Sequence, residues 1–431
     1  MKLLVPTISR QLADYREVAG EEALEDIRLP AKPLQGARVL HLSVFSSGTL
    51  TSELLNSLIP LTRAAGLDAE WGTVVAGEAV QASITTMYEA LNGTYVPWTR
   101  RHHDNWLRYS DLCVDLVERN YDFVVIHDPQ LAAVRADAAR RLGSRLRARW
   151  IWHCHMDLRA VQPEIWALLR PYLATYDAVI YEDAEYRRDD LEISEEAIIG
   201  PAIDPASARN AKLSEEIVKT VLHAYGLNGS RPLLVQVSRL DRWSNPLGAM
   251  EIYRMAKQAA PALQYLLVAT VAAHDYQAQM NYELLASAAD AAADPDVHFA
   301  CTLNRLGHTE INAFQTAATV VLHNGLRRGY DPHLLEAMWK SKPIVVNRTA
   351  AGQFVQDGLT GCVVPGVAEA KDGVLGFLGY PERARKVGEA ARARVRERFL
   401  ITKHLRDHLL FLGQLANLAG ATSDTLAFHK A

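Results

Sequence analysis

The chain of 431 residues has only four cysteines, Cys113, Cys154, Cys301 and Cys362, far apart and without a C-x-x-C pair. That spacing argues against a disulfide framework and a cysteine zinc site, and it fits a reducing compartment, the cytoplasm. No run of about 18 apolar residues occurs, so no membrane-spanning helix is expected. The opening "MKLLVPTISRQ" has too short an apolar stretch for a secretory signal, and the chain reads as soluble and unprocessed. Lys and Arg number 46 against 50 Asp and Glu, a formal charge of −4, and no long run of one sign stands out. This argues against a dedicated nucleic-acid or membrane-surface role and leaves small neutral or anionic ligands open. Internal repeats and low-complexity tracts are missing too; "ASAADAAADPD" at 286–296 reads as an alanine-rich helix end. The D-x-D string from Asp294 to Asp296 precedes a strand pattern, at the edge opposite a strand's ligand-binding end, so no metal is expected there.

What the chain does have is ordinary globular composition, 49% apolar and 22% charged, at a length beyond one hydrophobic core. Short β-branched runs alternate with helical patterns throughout, the signature of βαβ units and parallel sheets. In the first half "ARVLHLS", "DFVVIHD", "ARWIWHCH", "YDAVIYED" and "EAIIGPAI" read as strands. In the second half "PLLVQVS", "QYLLVAT", "VHFACTL", "TVVLHN", "PIVVNR" and "GCVV" do. Two sets of strands imply an α/β protein with two Rossmann-like domains, 1–205 and 206–400, divided within the polar segment 200–216. The segment 401–431 reads as an amphipathic helix returning to the first domain. Two such domains facing across a cleft suit a ligand with two halves.

Four stretches stand at strand ends. "IHDPQ" places His127 and Asp128 where they can hold a hydroxylated ligand; taken alone it reads rather as an Asp-Pro turn capping the next helix. "WIWHCHMDL" presents His153, His155 and Asp157; the His-x-His spacing permits a metal, but no carboxylate or cysteine partner has a recognisable spacing. "VQVSRLDRWSNP" aims Arg239 toward a phosphate beside a helix starting near Pro246, or pairs it with Asp241. "HNGLRRGYDPHLLEAMWKSKPIVV" sets Arg327 and Arg328 at a βα turn, with Glu336 on the following helix either gripping a ribose diol or pairing with Lys340. The basic, aromatic "VPWTRRHHDNWLRY" at 96–109 reads as a solvated loop or helix start with buried tryptophans rather than an acceptor loop.

In this order the stretches resemble the retaining GT-B glycosyltransferases of family 4, most closely the trehalose-forming glycosyltransferring synthases. The matching segments run along nearly the whole chain, from "DYREVAGEEALEDIR" through "VIHDPQ", "WIWHCHMDL", "PAIDP", "VQVSRLDRW" and "EAMWKSKP" to "ITKH". The resemblance implies hexosyl transfer with retention. A nucleotide-sugar donor sits on the second domain and a sugar or other small-molecule acceptor on the first, with no cofactor and no metal; a homodimer is left open. It implies that His155 touches the donor sugar, Asp128 holds the acceptor and Arg239 neutralises the leaving diphosphate. Of two family glutamates eight positions apart, the second falls on Glu336 and the first on Arg328, beside Gly329. The phosphate-binding lysine falls on Ser244, Gly-Leu becomes Asp331-Pro332, and the glycine-rich loop is "SSGTLTSE" with Gly48 its only glycine. Arg328 is a donor-only cation where the family has an acceptor, which points to an acidic group on the donor or to phosphate. Two other readings of the same cleft are a binding or regulatory protein without transfer chemistry and a phosphorylase.

Overall fold

A computed structural model describes residues 2–5, 7, 9–239, 242–270, 294–302, 306–326 and 331–428. The chain divides into two compact units, one of residues up to Pro201 with the segment from Ile401, the other Ala202–Leu400. The expected boundary at 205/206 thus moves to 201/202, because Ile203 already bridges to Leu400 within the second unit.

The first unit is built on a seven-stranded sheet in the order β1-β3-β2-β4-β5-β6-β7. Its strands are β1 (Lys2–Leu4), β2 (Arg38–Leu42), β3 (Asp68–Val74), β4 (Phe123–Ile126), β5 (Arg149–Cys154), β6 (Ala178–Tyr181) and β7 (Glu195–Ile198). All pair parallel except β1, which is antiparallel to β3. Parallel strands are covered on both faces, so they read as continuous apolar runs. Phe123, Val124, Val125 and Ile126 of β4 are all buried, as are Trp150, Ile151 and Trp152 of β5. β3 escapes the sequence reading because Asp68, Glu70 and Gly72 interrupt its apolar residues. Gly72 is required by packing: a Cβ there would lie 2.8 Å from the Leu42 side chain and 3.0 Å from that of Leu116.

The helix Ile401–Phe428 belongs to this unit and packs on the helices Glu21–Ala31 and Leu50–Ala64. Leu405, Leu409, Leu412 and Leu415 bury one stripe at helical spacing, and His404 and His408 go inside with them. In the segment 96–109, Thr99 caps the helix Arg100–Val117, while Trp106 is buried and donates to the Gln130 carbonyl at 2.7 Å.

The second unit carries six parallel strands in the order β10-β9-β8-β11-β12-β13. They are β8 (Leu233–Arg239), β9 (Gln264–Thr270), β10 (Val297–Cys301), β11 (Val320–His323), β12 (Ile344–Asn347) and β13 (Cys362–Val364). The order reverses between β8 and β11, as it does between β2 and β4 in the first unit. In open α/β sheets ligands bind outside the strand carboxyl ends at such switch points.

Candidate active site

At the switch point of the first unit, Asp128 follows β4 and Val44 follows β2. The Asp128 carboxylate accepts the Val44 backbone N–H at 2.7 Å, closing the gap between the two strand ends. This corrects the turn reading: Asp128 stands at the start of the one-turn helix Pro129–Leu131, but its side chain makes no capping bond. Burial raises its carboxyl above the ordinary value, partly offset by the Val44 bond and His155. Gly48, in the loop from β2, has φ of 75°, the left-handed region that favours glycine. Next to it, Thr49 caps the helix Leu50–Ala64, accepting the Ser52 N–H at 3.1 Å.

Behind Asp128 the structure gathers histidines that the sequence scatters. His127 Nδ1 lies 2.8 Å from His155 Nε2, and His127 Nε2 lies 2.9 Å from His41 Nδ1. His155 Nδ1 meets Glu182 Oε1, at the end of β6, at 2.6 Å. His153 stacks on the His155 ring with centroids 4.0 Å apart, and the last helix adds His404 and His408. Neither ring nitrogen of His153 has a hydrogen-bond partner among the described residues. Burial drives the pKa values of His127, His153 and His408 well below the ordinary 6.5, His41 to about 3 and His404 to about 4. These rings are neutral near pH 7. Asp157 pairs with Arg159 at 2.6 Å.

His127, His153 and His155 bring ring nitrogens within 4.8 Å of one another, the spacing of a candidate metal group. A ring lone pair lies in the ring plane, and at the His127–His155 contact one nitrogen carries a proton that the lone pair of the other accepts. A tetrahedral ion there would have to break that bond.

In the second unit, Arg239 ends β8, and the Ser244 hydroxyl donates to its backbone carbonyl. Gln236 Nε2 donates to the Ser244 carbonyl at 3.0 Å. Ser244, at the position expected for a phosphate-binding lysine, thus closes the turn that leads into the helix Pro246–Ala259. Asp241 lies outside the described residues, as do Arg327, Arg328 and Gly329.

Asp331 caps the helix Pro332–Trp339, accepting the His333 N–H at 2.9 Å. Glu336 is buried on that helix, with Oε2 at 3.4 Å from Arg209 and 3.2 Å from His333 Nδ1. Burial opposes its charge, but Arg209 and His333 outweigh it and hold the carboxyl at about 2. The Glu336–Lys340 side-chain pair, one of the two readings of Glu336, does not form. Lys340 Nζ reaches the Glu336 backbone carbonyl at 3.3 Å and bonds Asn210 at 3.1 Å and Gln315 at 3.0 Å. Arg209 and Glu182 have no motif of their own, and their distance from their partners along the chain hides them from sequence inspection; His333 stands three positions before Glu336 on the same helix.

The D-x-D string stands before β10. Lys257 Nζ meets Asp294 at 3.1 Å and Asp296 at 2.6 Å, and Arg231 holds Asp296 at 2.6 Å.

Two parallel sheets flanked by helices, with these switch points, define the GT-B glycosyltransferase fold. An α,α-trehalose-6-phosphate synthase of Burkholderia multivorans superposes with a TM-score of 0.70 over 89% of this chain and 100% of its own, at 16% identity. The E. coli trehalose-6-phosphate structure bound with UDP-2-fluoro glucose reaches 0.65 over 89% of this chain and 98% of its own, at 14% identity. The description of the trehalose synthase N-terminal domain matches residues 41–188. A trehalose synthase of Rubrobacter xylanophilus is 34% identical over 415 residues, 94% of this chain and 97% of the relative. The chain belongs to the trehalose synthase family and is a glycosyltransferase. No helix among the described residues is long and apolar enough to cross a membrane.

Proposed function

We propose that the enzyme transfers a hexosyl unit from a nucleotide sugar to a sugar or other hydroxyl acceptor with retention, in a reaction of the trehalose-synthase kind. The observation that carries this reading is identity of 34% with a named trehalose synthase, spread over 94% of the chain rather than confined to one domain.

In this reading the second unit binds the donor and the first the acceptor. Arg239, at the end of β8 beside the switch point, is the fixed cation for the departing diphosphate. Charge develops on the phosphate as the glycosidic bond breaks, and a preplaced guanidinium stabilises it without reorganisation. Glu336 is ionised and acceptor-only, which suits a ribose diol. Arg328, Gly329 and Gly48 are assigned to donor binding. Asp128 is assigned to the acceptor and His155 to the donor sugar. No cofactor and no metal is assigned. The four thiols stand unbridged, which supports a cytoplasmic setting.

Purified enzyme incubated with ADP-, UDP-, GDP- and TDP-glucose and free glucose tests the reading, with and without a chelator. Formation of an α,α-linked disaccharide, read from its anomeric proton signals, is expected in both conditions. Failure with every donor, or a product of inverted configuration, would sink it. Activity lost with the chelator and restored by magnesium would overturn the metal-free part.

A further inference from the structure

The geometry of the histidine cluster carries one step more. His41 and His127 have nitrogens 2.9 Å apart and ring centroids 5.2 Å apart; for His127 and His155 the values are 2.8 and 5.1 Å. In both pairs the difference is 2.3 Å, which is twice the distance from the centre of an imidazole to its nitrogen. Each bond therefore runs straight along the line joining the rings, with interplanar angles of 23° and 14°. The three rings form a nearly flat ribbon of linear N–H···N bonds, not a face-to-face stack.

A neutral imidazole has one N–H and one bare nitrogen. If one ring in such a ribbon donates toward a neighbour, every other ring donates in the same sense. Two proton registers exist, one the mirror of the other. Glu182 ends the ribbon at 2.6 Å from His155 Nδ1, and an ionised carboxylate only accepts. It selects the register in which Nδ1 of His155, of His127 and of His41 all carry protons. At the far end this register leaves His41 Nε2 as a bare acceptor. That atom is buried without a partner among the described residues, where an orphan N–H would be the rarer arrangement. The opposite register needs the proton on Glu182; burial raises that carboxyl and His155 lowers it in part, so the unpaired His41 Nε2 decides between the two registers.

We propose that Glu182 is a positioning residue for glycosyl transfer: it sets one proton register along His155, His127 and His41, and so fixes the tautomer and ring plane of His155. His153, stacked at 4.0 Å, restrains the same ring from its face. The inference rests on the reading that His155 stands in the transfer site. It has a chemical corollary. Both nitrogens of His155 are spent, so the ring does not take up the acceptor proton while the register holds.

The test uses the full chain labelled with 15N-histidine. Nitrogen–nitrogen couplings across the hydrogen bonds are expected between His41 and His127 and between His127 and His155, with Nδ1–H tautomers at all three. Glu182→Ala should scramble the tautomers and lower kcat by roughly tenfold or more with little change in donor KM. Glu182→Gln, whose amide oxygen accepts the same proton, should restore the register and most of kcat. If Glu182→Ala does not fold, the comparison of Glu182→Gln with Glu182→Leu stands in its place. Absent couplings, an Nε2–H tautomer at His155, or tautomers unmoved by Glu182→Ala would overturn the register. A correct register in an enzyme that transfers to no acceptor would instead sink the functional reading and the positioning role with it, while leaving the ribbon.

Discussion

Arg209 and Glu336, 127 positions apart in the chain, meet at 3.4 Å inside the second unit, with His333 bridging them on the same carboxylate oxygen. The pair is almost fully removed from water, side chains 8% and 3% exposed. Breaking one side of such a pair strands a buried charge, which costs about 3–5 kcal/mol. Arg209→Ala should therefore lower the free energy of urea unfolding by that amount, and Glu336→Gln in the same background should recover part of it. An Arg209→Ala loss below about 1 kcal/mol would show that His333 alone suffices. The pH window has two edges. The Glu336 carboxyl is lowered from 4.5 to about 2, so its contribution is full above pH 4.5 and disappears as pH falls toward 2. Burial lowers the His333 pKa, but Asp331 and Glu336 outweigh it and leave it above 6.5. That contribution is full below pH 6.5 and fades as pH rises through the raised value. Both are complete only between 4.5 and 6.5.

Acid should unfold the first unit through its imidazoles. His41, His127, His153, His404 and His408 have folded pKa values below the ordinary 6.5, each chiefly by burial. Below pH 6.5 the unfolded chain binds protons that the folded one excludes. Each ring then takes away up to about 1.4 kcal/mol per pH unit. Asp128 and Glu182, both raised by burial, work in the opposite sense at lower pH. Two groups do not offset five. Emission from Trp71, Trp106, Trp150 and Trp152, all buried here, should report a cooperative loss between pH 6.5 and 4. His408→Leu should move that midpoint downward; a midpoint that stays put would detach the transition from the cluster.

Arg239→Ala should separate phosphate from base. If its guanidinium neutralises the diphosphate, nucleoside diphosphate binding falls by about 2–3 kcal/mol, roughly 30- to 150-fold, while nucleoside binding barely changes. Isothermal titration with ADP, UDP and GDP beside their nucleosides measures both. Equal losses for the two ligand classes would remove Arg239 from the phosphate role.

Arg328 should act as an anion contact where the resemblance implies a carboxylate. Its competitor for a structural role is Asp331, whose carboxylate caps the helix start at His333 and lies 3.8 Å from His323. Arg328→Glu is expected to improve binding of neutral sugar nucleotides, and Arg328→Ala to weaken binding of acidic ones. If neither substitution alters any ligand, the arginine serves only Asp331.

The strand runs, the two α/β units and the strand-end positions of His127, Asp128, His155 and Arg239 were legible in the sequence. Parallel strands need apolar residues on both faces, and a polar residue ending such a run has few places to go. β3 was not legible, because its burial depends on Gly72 letting Leu42 and Leu116 approach, a matter of neighbours rather than pattern. Ser244 reads as a missing lysine in sequence, whereas in the fold it closes a turn on Arg239. The largest gap concerns partners. Asp128 reads locally as a turn cap, yet its carboxylate spans 84 positions to Val44. Glu182 and Arg209 carry no motif, and only the closing of each sheet brings them to His155 and Glu336. Which residues emerge from strand ends can be read along the chain, because hydrophobic period is a local property. Which of them share protons or charge emerges on folding, because hydrogen bonds and ion pairs depend on distances that chain order does not contain.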